Sequence, residues 1–380
     1  MSKTAEKIYI ASFITMLSLG FITSMSGVID YKQPKTYSVL DGNLAKSFED
    51  HYDKELPMKD IGTNVWAALD FVLFNEGRQG VKIGADGWLY SDEEFKPDPT
   101  GPHNLSDNLN TIEGVRNELA KHNIKLVMAI VPAKARLYPE HIGNNRASPI
   151  HADLYQQFHK AMDRDEIIAP DLLTALESAK SQGQVFLRTD THWTPMGADI
   201  AAKRLSAAVA HNFVLPGEPQ KYVTSVDKTE PYHGDLTRFI PLDPLFETLM
   251  PRPDDLQKRN TAAASQTEGA DALFAENNIS VALVGTSYSA NPNWNFEGAL
   301  REHLQHDLGN YAEDGRGPVL PMLKYLQSDD FKNTPPQVVI WEFPERYLPM
   351  PNDLSEFDQE WVARLKDLGD EQNLALTGNR

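Results

Sequence analysis

The sequence predicts an α/β fold with a mostly parallel sheet and helices on both of its faces, and three observations carry that expectation. Short apolar runs at 124–131, 167–169, 185–187, 279–284 and 338–341 have the length of buried strands. Segments with helical spacing alternate with them, as in parallel βαβ units. The motifs that could carry chemistry fall just past the ends of those runs, where open α/β sheets place their ligand sites.

Taken in order, the chain opens with residues 8–29, 22 positions without a charged side chain, preceded by Lys3 and Lys7. That length spans a bilayer as a helix, and the lysines would stay cytoplasmic. Ser24-Met25-Ser26 offers a small-x-small cleavage site, the rival reading. The apolar stretch runs past that site, so an uncleaved signal anchor is expected, with the rest of the chain in the periplasm. Residues 1–30 are then a cytoplasmic tip and anchor, and 31–60 a tether with a short helix carrying Phe48, Tyr52 and Leu56. Residues 61–350 form the main domain, and 351–380 a tail or helix.

Within the main domain, Asp86-Gly87 signals a tight turn leading into the strand start Trp88-Leu89-Tyr90. Residues 96–104 read as a loop, 105–122 as a helix, and 124–131 as a buried strand ended by Pro132. Helices are expected at 151–164 and from Pro170 to about residue 182. Residues 195–213 form the next helix, with Thr194 as N-cap and Pro195 at the first helical position. Prolines 216, 219, 231, 241, 244, 251 and 253 argue against long regular elements over about 215–278, which reads as an insertion on the rim of the sheet. Helices at 295–308 and 319–326 follow the strand at 279–284, and the strand at 338–341 leads into Glu342-Phe343-Pro344-Glu345-Arg346-Tyr347.

Composition narrows the function. Hydrophobic residues make up 41% of 380 and charged residues 24%, enough to bury a core. The formal charge of −18, from 36 basic and 54 acidic residues, argues against nucleic acid and against long-range attraction of a polyanion. With no cysteine, thiol catalysis, zinc-thiolate sites and disulfides are excluded.

The chemistry centres on Asp190-Thr191-His192 and on Gly285-Thr286-Ser287-Tyr288-Ser289. A carboxylate beside an imidazole fixes its tautomer and stabilises the imidazolium. A serine on a sharp turn after a buried strand is exposed, with backbone N–H groups aimed at a developing oxyanion. Together they can assemble a Ser287–His192–Asp190 triad from distant parts of the chain. Ser289 is the alternative nucleophile, and His192 as a structural histidine the bland alternative. No third and fourth ligand stand at metal spacing from Asp190 and His192, so neither metal nor cofactor is expected. Gly234-Asp235-Leu236 has the form of a lipase-type block but carries leucine at the nucleophile position, leaving His233 and Asp235 as rim residues. Trp193 and Trp341 read as core aromatics. Tyr288, Trp294 and Arg346 are candidates for substrate binding, Arg346 toward a sugar carboxylate.

Thr189-Asp190-Thr191-His192-Trp193-Thr194 with Gly197, the Gly285–Ser289 block, Trp341 to Arg346, and Gly87-Trp88-Leu89-Tyr90 resemble the AlgJ/AlgX proteins. These are SGNH-hydrolase-like O-acetyltransferases of bacterial exopolysaccharide export. The resemblance covers about residues 60–350, and the Asp-x-His-Trp block is its most specific part. The Asp-His pair precedes the serine, as in that family. The ordinary Gly-x-Asn-Asp block of SGNH hydrolases is not apparent, which leaves the oxyanion to backbone donors. Only 34 residues follow Arg346, too few for the C-terminal carbohydrate-binding module of AlgX, so the chain looks like the AlgJ branch. The resemblance implies a three-layer SGNH-like domain that acetylates alginate, or a related exopolysaccharide such as cellulose. It also implies a membrane-bound acyltransferase as acetyl donor, and other acetylation and export proteins as partners. With no basic groove in the sequence, direct polymer binding is expected to be weak. A carbohydrate acetylesterase using the same triad, or a catalytically silent assembly protein of the export complex, fits the same motifs.

Overall fold

A computed structural model describes residues 2–33, 40–264 and 279–367. They fall into two compact units, one made of the chain up to Arg78 with 238–250, the other of Gln79–Thr237 and the chain from Pro251 onward.

In the first unit, α1 (Lys3–Ile29) contains the whole expected anchor and is long and apolar enough to cross a membrane. Helix α2 (Asn43–Lys54) presents Phe48, which stacks on Tyr52 and meets Tyr31 edge-on. It ends before Leu56, since Pro57 opens α3 (Pro57–Leu69) at a position where the missing N–H costs nothing. One π-helical turn, Asp70–Phe74, continues α3 until Asn75 leaves it at φ 54°. The sequence reading placed residues 61–78 and 238–250 in the main domain. They cluster here because Asn64 Nδ2 donates to the Pro241 carbonyl at 2.8 Å and the Arg78 N–H to that of Phe239 at 2.8 Å.

The second unit begins with a hairpin, β1 (Val81–Ile83) antiparallel to β2 (Leu89–Ser91). Its turn uses Asp86 at φ 56° and Gly87 at φ 76°, two successive left-handed residues, as Asp-Gly favours. Then come α4 (Gly101–Lys121), β3 (Lys125–Val131), α5 (Leu154–Arg164), α6 (Leu172–Ala179) and α7 (Pro195–Asn212). Strands β4 (Tyr222–Tyr232), β5 (Asp254–Ala263) and β6 (Val281–Val284) follow. The remaining elements are α8 (Phe296–Leu304), β7 (Leu308–Asn310), α9 (Val319–Gln327) and β8 (Val338–Pro344).

Strands β3, β8, β6 and β7 pair in that order, all parallel. Alternate residues divide the core into two. Val127, Ala129, Leu283 and Ile340 face α6, α7 and α8 through Leu176, Leu205 and Leu300. Met128, Ile130, Val284 and Trp341 face α4, α5 and α9 through Val115, Phe158 and Leu323. Strands buried on both faces read as unbroken apolar runs, which is why the sheet was legible, and the result is the expected three-layer α/β/α arrangement.

Three expectations need correction. Residues 167–169 supply only a single bridge from Ile168 to Val127, and 185–187 lie outside the sheet. Phe186 instead bridges antiparallel to Trp193, while the Leu187 amide donates to the His192 carbonyl, so the segment closes on its own loop. The helix expected over 295–308 stops at Leu304, because Gln305 turns left-handed at φ 55°, and Leu308 instead opens strand β7. The expected irregular insertion contains the long hairpin β4–β5. Most of its prolines fall between or before the strands, and Pro231 sits in a two-stranded ribbon, where a residue without an N–H can face the open edge. Residues 265–278 of that insertion and 368–380 of the tail lie outside the described residues.

Strand β8 carries one buried carboxyl. Glu342 accepts the Thr286 N–H at 2.7 Å, the Thr286 hydroxyl at 3.0 Å and the Ser289 hydroxyl at 3.1 Å. Gly285 has no side chain because a Cβ there would collide with the Glu342 carboxylate. Burial pushes the Glu342 carboxyl up from 4.5 to about 7, against the lowering effect of those hydrogen bonds. The folded chain therefore keeps a proton that the unfolded chain releases. That stability is complete below about pH 4.5 and is lost as pH rises through about 7. Urea unfolding of the wild type should show a loss of stability on the order of a few kcal/mol between about pH 5 and about pH 8, relative to Glu342→Gln at the same pH values. Parallel pH profiles for the two proteins would overturn the assignment.

Candidate active site

Strand β6 is buried throughout and ends at Val284, so the next residues emerge at the carboxyl edge of the sheet. Thr286 caps a one-turn helix, Ser287–Ala290, that starts with the candidate nucleophile. Ser287 is half-buried, and its Oγ lies 2.6 Å from His192 Nε2. Ser289 is buried and spends its hydroxyl on Glu342. This separates the two serines that sequence alone left open. Among the described residues, no acceptor takes the Ser287 N–H.

The opposite half of the site is the loop before α7. Its end is fixed by the expected cap, the Thr194 hydroxyl accepting from the Gly197 N–H at 3.1 Å. Asp190 is wholly buried and uses both oxygens twice. Oδ1 accepts from His192 Nδ1 at 2.6 Å and from the His192 N–H at 2.9 Å. Oδ2 accepts from the Tyr232 hydroxyl at 3.0 Å and the Asp235 N–H at 2.8 Å. Burial opposes ionisation here, but the hydrogen bonds and charge of His192, with the Asp235 amide, hold this carboxyl well below the usual carboxylate range.

Four residues outside the predicted set shape this loop. Lys134, buried just after β3, donates its ammonium to the carbonyls of Leu89, Arg188 and Asp190, the last at 2.8 Å. Burial pushes it down to about 8, against the nearby Glu94, Asp254 and Asp190. Asp254 accepts the Arg188 and Thr189 N–H groups, each at 2.8 Å. Asp235 accepts the Thr191 N–H at 2.8 Å, and burial together with the Asp190 charge raises its carboxyl. Tyr232 completes the set. A buried lysine after a strand end and a Gly-Asp pair were visible signals, but neither names its partner. His233 stays exposed, as a rim residue should.

The three proposed substrate contacts are corrected by burial. Trp294 stacks on the His192 ring at 5.0 Å and donates Nε1 to the Ser287 carbonyl at 3.2 Å. Tyr288 lies 4.6 Å from the same ring and donates its hydroxyl to the Thr191 carbonyl at 2.7 Å. Arg346 donates Nη1 to the Tyr288 oxygen at 3.1 Å and Nε to Glu93 at 3.0 Å. At 0, 1 and 5% exposure, they support the site from within. Trp193 and Trp341 are core aromatics, as read. Side-chain atoms of Asp190, His192 and Asp235 gather within 4.8 Å, a grouping that could hold a cation. All of them already serve the hydrogen bonds described above.

Comparison with known proteins identifies the family. Residues 81–345 match the family described as SGNH hydrolase-like domain, acetyltransferase AlgX. The chain is 58% identical over 378 residues to the probable alginate O-acetylase AlgJ of Pseudomonas syringae pv. tomato, covering 99% of this chain and 97% of that one. It is 50% identical over 388 residues to the protein of the same name from Pseudomonas aeruginosa, covering 100% and 99%. The solved O-acetyltransferase domain of Pseudomonas putida AlgJ superposes with a TM-score of 0.71 at 56% identity, covering 76% of this chain and 99% of that one. Pseudomonas aeruginosa AlgX shares the fold, with a TM-score of 0.52 at 21% identity over 71% of this chain and 63% of that one. The chain therefore belongs to the SGNH hydrolase-like family of AlgJ and AlgX and is an O-acetyltransferase.

Proposed function

We propose that the chain carries acetyl groups on Ser287 and delivers them to hydroxyls of alginate or a related exopolysaccharide, on the periplasmic side of the inner membrane. The observation that supports this most is the continuous path Asp190–His192–Ser287, with both side-chain links at 2.6 Å. In the first half-reaction Ser287 Oγ attacks the carbonyl carbon of an acetyl donor, and its proton passes to His192 Nε2. The Ser287 N–H stands ready for the oxyanion. Collapse breaks the donor's acyl bond, and His192 returns the proton to the leaving group. In the second half, His192 takes the proton of a sugar hydroxyl whose oxygen attacks acetyl-Ser287, and as the ester bond to Ser287 breaks His192 returns that proton to Ser287 Oγ. Asp190 orients the imidazole and balances its charge in both halves. No metal enters either step.

The donor would be a membrane-bound acyltransferase, and other acetylation and export proteins would meet the chain at the membrane. An uncleaved α1, with Lys3 and Lys7 inside, would hold it there. A formal charge of −18 offers a polyuronate no general attraction. The chain would then serve as an acetyl relay to polymer held by a partner.

Ser287→Ala, His192→Ala and Asp190→Ala should each fold, by circular dichroism, yet lose at least about a thousandfold of their turnover of an aryl acetate. Ser289→Ala should keep most of its turnover. The reverse pattern for the two serines would overturn the nucleophile, and activity lost to a chelator and restored by zinc would overturn the triad. A reporter active only outside the cytoplasm, fused after residue 60, should give signal, and mature protein starting at Gly27 would refute the anchor. Calorimetry with mannuronate oligomers should give a dissociation constant no tighter than about 1 mM, roughly −4 kcal/mol. Micromolar binding at the Ser287 cleft would replace the relay with direct transfer.

A further inference from the structure

Helix α3 with its π turn is apolar on two faces. One face packs inside its unit, with Asn64 and Ala68 buried and Phe71 half-buried. The other carries Ile61, Val65, Trp66, Leu69, Val72 and Leu73 at helical spacing, and all six are exposed, Trp66 to 67% and Leu73 to 65%. An apolar stripe of this width normally faces a core, and one left open marks a surface built to be covered.

Its place in the unit indicates by what. Helix α3 packs beside α1, which also packs beside α2. The outer end of α1 comes so close to α2 that a Cβ on Gly27 would sit 3.3 Å from Glu55 Cβ. Two residues beyond Glu55, α3 begins. If α1 spans the bilayer, Gly27 is near its outer boundary, so the start of α3 is held at the lipid surface. Charge on this helix is sparse and mixed, Lys59 against Asp60 and Asp70, so contact would rest on apolar area and on the tryptophan at the interface.

We infer that residues 57–74 form an interfacial helix that lays the apolar Ile61–Leu73 stripe into the outer leaflet of the membrane that α1 crosses. The inference rests on the anchor reading above and is independent of the triad. Its function would be to hold the first unit flat on the bilayer, a second attachment beyond the anchor.

The cysteine-free sequence permits a direct test. Single cysteines at Leu19, Leu69, Leu73 and Lys203 of the full chain take a nitroxide label, and the protein is reconstituted in vesicles of phosphatidylethanolamine and phosphatidylglycerol. Accessibility to oxygen, relative to a water-soluble nickel complex, should be severalfold higher at Leu69 and Leu73 than at exposed Lys203. It should be highest at Leu19, and raised salt should leave the values at Leu69 and Leu73 unchanged. Aqueous values at Leu69 and Leu73 with lipid values at Leu19 would overturn this inference alone. Aqueous values at Leu19 as well would overturn the anchor with it. Shielding at Leu69 and Leu73 that appears only when membrane proteins are added would replace lipid with a protein partner.

Discussion

The Asp190 carboxylate has no solvent, and four donors take the place of water around it. Burying an ionised carboxylate without such compensation costs many kcal/mol, so the donors are a condition of the fold as well as of the chemistry. Two come from His192, two residues away, and they force the loop into a tight arc. The other two come from Tyr232, at the end of β4, and Asp235 beyond it. The hairpin insertion is therefore part of the site, since it supplies half of the shell that keeps Asp190 charged. Asp235, next to it, is pushed in the opposite direction by burial and by its neighbour's charge. Adjacent carboxylates with divergent proton affinities are a common sign of tuned chemistry.

Around that carboxylate the protein arranges cations that meet carbonyls and hydroxyls. Lys134 draws together the carbonyls of Leu89, Arg188 and Asp190, three oxygens that would otherwise repel one another under the loop. Arg346 acts at one remove, through Tyr288 to the Thr191 carbonyl. The Ser287 turn has its own anchor in Glu342, whose contacts stop at Thr286 and Ser289 and leave Ser287 free to face His192. Each half of the proposed triad thus has a separate support, and the two halves meet at the 2.6 Å contact between serine and histidine and at the Tyr288 hydroxyl on the Thr191 carbonyl.

The sequence revealed most where one local rule dominates. Strands β3, β6 and β8 are buried on both faces, so their apolar runs were unambiguous. The Thr194-Pro195 helix start and the Asp86-Gly87 turn follow from backbone sterics alone. Residues 185–187 misled because an apolar triplet reads the same whether it joins a sheet or closes on its own loop, and only the distant Tyr138 hydroxyl, which takes the Val185 N–H, and Trp193 decide which. The β4–β5 ribbon was hidden because its prolines suppress the strand signal, while the ribbon tolerates them at its open edges. Tyr288, Trp294 and Arg346 were located correctly beside the triad but assigned the wrong face of it. Proximity in a motif says nothing about burial. Lys134, Asp254 and Glu342 could not be given their roles, because their partners lie 40 or more residues away and no spacing rule connects them.

The two halves of the proposed reaction meet different electrostatics. An acetyl group carries no charge, so the first half asks only that Ser287 lose its proton to an imidazole already paired with Asp190. A uronate acceptor brings a negative charge toward a chain that carries a formal −18. The buried cations nearest the triad, Lys134 and Arg346, are committed to internal carbonyls, hydroxyls and carboxylates, so they offer the acceptor little direct pairing. With a Debye length near 8 Å at physiological salt, distant repulsion is screened, but nothing in the shell of the site replaces it with attraction. Acylation therefore fits the chain's own charges, and in the proposed relay holding a polyuronate in place would fall to a partner. A membrane attachment at both α1 and α3 would serve that division by fixing the chain beside its donor and leaving the polymer to be delivered.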